Sequence, residues 1–84
     1  MTGADQLDQL EAALLQLGQL ELATETALER LFANARACVV AGDNATAEAI
    51  WQQHDRIALR LKALKAKIYA VENQLYAKRR RARR

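Results

Sequence analysis

Apolar side chains recur along the first half of the chain at steps of three and four, at Leu7, Leu10, Leu14 and Leu17 and again at Leu28, Leu31, Ala35 and Cys38. That spacing holds one stripe on one face of an α-helix. The second half is a more regular heptad, in which Ile50, Ile57, Leu64 and Val71 alternate with His54, Leu61, Ile68 and Leu75, and only His54 is polar. Read backwards, the second stripe matches the first so that paired positions add to 85: Leu10 with Leu75, Leu14 with Val71, Leu17 with Ile68, Leu28 with Ile57, Ala35 with Ile50. The mirror point is Gly42-Asp43, a turn signal. The pattern predicts an all-α fold, an antiparallel two-helix hairpin of coiled-coil type.

The local signals place helix one at about 3–41, the turn at 42–44 and helix two at about 45–77, so that 1–77 is the hairpin and 78–84 a basic C-terminal tail. Thr2 with Asp5 reads as a cap and a first-turn acid; Gly42 suits a left-handed C-cap, and Asp43, Asn44 or Thr46 can cap the second helix. Helices of roughly 35 residues are about 50 Å long, which makes a rod. Glu21 and Thr24 interrupt the first stripe at mid-height.

Composition narrows the class. With 84 residues, 51% of them apolar, no proline and three glycines, the chain favours uninterrupted helix. One layer of two helices in so short a chain buries little surface. No run of about 18 apolar residues could span a membrane, and the start lacks a signal-peptide pattern. A cytoplasmic location is the expectation, and the single Cys38 fits a reducing compartment. The net charge of +3 conceals a strong asymmetry: residues 1–55 carry nine acids and two bases, residues 56–84 eleven bases and one acid, Glu72. Folding back sets Asp5, Asp8 and Glu11 beside the basic end and Glu21 opposite Lys65.

A heptad projection leaves a second apolar surface beside the seam. Leu15, Leu22, Phe32 and Val39 of helix one lie on the same flank as Trp51, Ala58, Tyr69 and Tyr76 of helix two, with Trp51 near Phe32 and Tyr69 near Leu15. The opposite flank is small, with Ala13, Ala23, Ala27, Ala37, Ala63, Ala70 and Ala77 plus Leu20. Exposed apolar strips of this kind mark interfaces. Either a second copy covers the aromatic flank, closing a four-helix bundle as a homodimer, or a larger protein docks there on Trp51, Tyr69 and Tyr76.

No constellation in the chain specifies a reaction. The register separates His54 from Cys38 by about seven residues, or ~10 Å, too far for a nucleophile-base pair. Glu21, Glu25 and Glu29 read as a solvated face, and neither a phosphate loop nor a spaced metal-ligand set occurs. Helical chorismate mutases place several basic residues in a bundle core, whereas the second seam here is aliphatic apart from His54. The expectation is no enzyme, no cofactor and no metal. Lys78, Arg79, Arg80, Arg81, Arg83 and Arg84 could instead hold an anionic partner, and nucleic acid bound without base readout is the alternative reading, with Tyr69 and Tyr76 near enough to stack.

The segment around Ala41-Gly42-Asp43 resembles the hairpins of flagellar export chaperones, over the turn and a generic heptad alone. The small, non-catalytic chain also resembles accessory proteins of phages and plasmids. The exposed aromatic flank and the lack of a catalytic set point to a small protein-protein interaction module, an adaptor, chaperone-like subunit or inhibitor that occludes a surface of a larger protein.

Overall fold

The computed structural model describes residues 3–82, which form two helices, α1 (Gly3–Val40) and α2 (Asn44–Ala82). Thr2, Arg83 and Arg84 lie outside the described residues. The helices fold back into one antiparallel hairpin measuring 63 × 17 × 15 Å. At any one level it is a plate two helices wide and one helix thick, and the turning of the plate along its length makes the two transverse extents nearly equal.

The reversal takes three residues. Asp43 N–H donates to the Cys38 carbonyl at 2.8 Å and Gly42 N–H to the Val39 carbonyl at 3.0 Å, the two bonds of a Schellman cap. That cap requires a left-handed residue, and Gly42 has φ +82°. Asp43 then starts α2: its carbonyl accepts from Ala47 N–H at 3.1 Å, and its Oδ1 accepts from Thr46 N–H at 3.2 Å. One tripeptide thus ends one helix and caps the next. Hydrogen bonding from Thr46, its side chain first and then its backbone N–H, holds the Asp43 carboxyl below its ordinary value of 3.8.

Burial follows the mirrored stripes. Positions 7, 10, 14, 17, 21, 24, 28, 31, 35 and 38 of α1 are shielded, as are 47, 50, 54, 57, 61, 64, 68, 71, 75 and 78 of α2, each pair adding to 85. Among the described residues, burial is near complete only at Ala35, Ala47 and Leu75. Ala35 and Ala47 lie in the part of the seam toward the turn, where the three-residue connection holds the helices close; Ala35 is level with Ile50. Cys38, level with Ala47, is half-buried.

The polar break in the seam has two local solutions. Thr24 donates its hydroxyl to the Leu20 carbonyl of its own helix at 2.7 Å, and among the described residues no buried side-chain nitrogen or oxygen lacks a partner. Glu21 reaches Lys65 across the hairpin at 3.6 Å, and Glu25 reaches the same ammonium at 3.4 Å. At the open end Arg79 donates to Glu11 at 2.8 Å and Lys78 to Gln6. Such exposed pairs are worth under ~1 kcal/mol each, but parallel helices could not form them, so they favour this arrangement.

α2 continues past 77. Lys78, Arg79, Arg80 and Arg81 are helical, and the last three sit in its final turn, where cations suit the negative end of the helix dipole. Lys78 holds a seam position opposite Leu7, so the stripe itself runs beyond 77.

Candidate functional site

A plate one helix thick has no interior to hold a site, so its recognition surfaces are its two flanks. Contacts across the hairpin assign residues to each. Arg79 with Glu11, Lys65 with Glu25, and Phe32 with Trp51 lie on one flank, and heptad phase adds Leu15, Leu22, Val39, Tyr69 and Tyr76 to it.

On this aromatic flank, Phe32 and Trp51 meet edge to face with centroids 5.3 Å apart, and Trp51 meets the His54 ring in the same way, also at 5.3 Å. His54 Nδ1 lies 3.4 Å from Asp55 Oδ1. Trp51 is half-buried by these neighbours. Other members project into solvent: Leu15, Leu22, Tyr69 and Tyr76 are each about two-thirds exposed, Phe32 and Val39 about half. The strip has two clusters. Val39, Phe32 and Trp51 lie toward the turn, and Leu22, Leu15, Tyr69 and Tyr76 toward the open end, with Glu25 and Lys65 between them. The two carboxylates, Glu25 first, raise the Lys65 ammonium above its ordinary value of 10.5.

The aromatic flank also holds a hollow of about 520 Å³ beside Leu15, Leu22 and Arg79, and the second flank differs from it in side-chain size and charge. Leu20, Ala23, Thr24 and Ala27 of α1 and Ile57, Arg60, Ala63, Leu64 and Lys67 of α2 line a groove of about 530 Å³. A smaller hollow next to it is lined by Ala49, Gln53, Arg56, Ile57 and Arg60. Heptad phase adds Arg30 and Arg81 to this side and puts none of the ten acids there. None of Arg30, Arg56, Arg60, Lys67 and Arg81 is within ion-pair distance of an acid among the described residues. Reading charge along the sequence groups Arg56, Arg60, Lys62, Lys65 and Lys67 as one basic stretch, and misses this separation. The signal was present in heptad phase, which sends Lys62 and Lys65 to the aromatic flank and the other three to the alanine flank.

Among the described residues no three of His, Cys, Asp and Glu gather where they could hold a metal ion. No described helix is long and apolar enough to cross a membrane. The fold class is therefore a helical hairpin with two unlike side faces. Comparison with protein-family models, curated proteins and solved structures found no match to this chain.

Proposed function

We propose that the protein is a small non-enzymatic interaction module that pairs with a second copy through its aromatic flank, closing a four-helix bundle, and occludes a surface of a larger protein. The observation that carries this reading is the strip of exposed large apolar side chains, Leu15, Leu22, Phe32, Val39, Tyr69 and Tyr76, on one side of the plate. Accessible area supports it. A compact chain of 9.4 kDa exposes about 5,000 Å² by the usual scaling, whereas this one exposes 6617 Å². The excess is about twice the ~800 Å² that each partner gives to a standard interface. Both charge signs occur on this flank, so two copies can meet there without concentrating like charge.

Light scattering across a concentration series tests the pairing. The expected mass is that of two chains, falling to one when Tyr69 and Tyr76 are both replaced by lysine, with helical circular dichroism retained. A monomer at all concentrations, or an unchanged mass in the variant, refutes it. Loss of a captured target on Trp51→Ala would locate the occluding surface on the same flank.

One observation favours a second reading, nucleic-acid binding: the final turn of α2 presents Arg79, Arg80 and Arg81 together, continuing toward Arg83 and Arg84 in the sequence. A mobility shift that collapses with salt, and on changing these five arginines to alanine, would establish it.

A further inference from the structure

We infer that the alanine flank is the docking site for an acidic amphipathic helix of another protein. This extends the reading of the chain as an interaction module by giving the second face a partner of its own.

Three features of the flank define the occupant. Its floor is apolar and low: Ala23, Ala27 and Ala63 leave an open groove of about 530 Å³ between the helices. Small side chains let a third helix approach to the lower end of the usual 8–10 Å axial separation. Its rim is cationic, with Arg60 and Lys67 along one wall. These two are seven residues apart on α2, or about 10.5 Å along the axis, so they face carboxylates seven residues apart on an aligned helix. Apolar side chains between those carboxylates would lie in the groove.

Other occupants fit less well. A second copy placed here by a twofold axis would set Arg30, Arg56, Arg60 and Lys67 against themselves, with no acid on either face to offset them. Nucleic acid would gain phosphate contacts but no base stacking, because Phe32, Trp51, Tyr69 and Tyr76 all lie on the opposite flank. An alanine floor offers nothing to a phosphodiester chain. A helix with leucines flanked by glutamates uses both floor and rim.

The probe is a fluorescent three-heptad peptide with leucine at the seam positions and glutamate beside them, titrated with the full chain and followed by anisotropy. A control peptide keeps the glutamates and replaces leucine with glutamine. The expected result is saturable binding of the leucine peptide alone. Arg60→Glu with Lys67→Glu should weaken it at least about tenfold, as should Ala63→Trp, which fills the groove. Circular dichroism confirms that each variant remains helical, and both cations are exposed. Equal binding of the two peptides, unchanged affinity in either variant, or displacement of the peptide by a single-stranded oligonucleotide at lower concentration overturns the inference. Light scattering on the same samples reads self-association separately, so peptide binding by a monomer would refute the dimer and leave the groove standing.

Discussion

Replacing Gly42 by the two enantiomers of alanine tests the turn on which the hairpin depends. The Cβ of an L residue built at Gly42 meets no atom within 4 Å, so L-alanine clashes with no neighbour and its effect is conformational. At φ +82° an L-alanine is held in the left-handed region, at a cost of roughly 1–2 kcal/mol. Restricting the unfolded chain returns about 0.4–1 kcal/mol, leaving a net loss near ~1 kcal/mol and a melting temperature lower by roughly 4–8 °C for a chain of this size. D-Alanine keeps the restriction and escapes the strain, so it should raise the melting temperature by a few degrees. An 84-residue chain can be assembled by chemical ligation, and far-UV circular dichroism follows the melt. The enantiomer difference cancels most of the unfolded-state contribution and isolates the backbone strain. Identical midpoints for the two would refute a left-handed cap at this position.

Other perturbations probe the seam and the charges. Leu61→Asp or Ile68→Asp loses apolar burial and places an unpaired carboxylate in the seam, costing about 3–5 kcal/mol in total; unchanged helicity and melting temperature would contradict the register. Ala35→Leu, at a site with 0% exposure, should cost about 1–3 kcal/mol by forcing the helices apart beside the turn, and a melt indistinguishable from wild type would show that the close approach is wrong. Asp43 has a lowered carboxyl pKa, so its cap is fully stabilising above the ordinary value of 3.8 and is lost as pH falls below it through the folded-state value. Asp43→Ala should therefore melt lower than wild type at neutral pH and converge with it in acid; a gap independent of pH would refute the cap. Lys65 has a raised pKa, so its contribution is complete below the ordinary 10.5 and lost as pH rises above it through the folded-state value. Added salt should shrink the effect of Lys65→Met, and salt-insensitivity would argue against the pairing with Glu25.

The hairpin and its register were legible because a two-helix plate has one seam and a short turn fixes how the halves align. Gly42-Asp43 sets the mirror point, and the shielded pairs from Leu7 with Lys78 to Cys38 with Ala47 follow it without a slip. The Phe32-Trp51 contact and the Glu21-Lys65 pair follow from the same phase. Two things were harder to read. The end of α2 was hidden because a run of arginines resembles a solvated tail, yet arginine is a good helix former and suits a helix C-terminus. Charge separation between the flanks was hidden because bases counted along the chain form one cluster, while around the helix Lys62 and Lys65 part from Arg56, Arg60 and Lys67.

That separation bears on how one thin chain could serve two partners. The seam takes ten positions of each helix, and the other described side chains lie on a flank or an outer edge, so mutating either flank disturbs the fold little. The flanks also reject each other's occupants. The aromatic flank carries an excess of acids, with Asp8, Glu29, Glu48 and Glu72 besides those paired to Lys65 and Arg79, which would repel an acidic helix, while the alanine flank carries only bases, which would repel the alanine flank of a second copy. If both proposals hold, pairing on one side leaves the two alanine grooves facing outward on opposite sides of the bundle. A dimer would then engage two acidic helices at once, and linking two copies of the probe peptide by a spacer long enough to reach around the bundle should bind more tightly than one. A spacer too short for that span should give no gain.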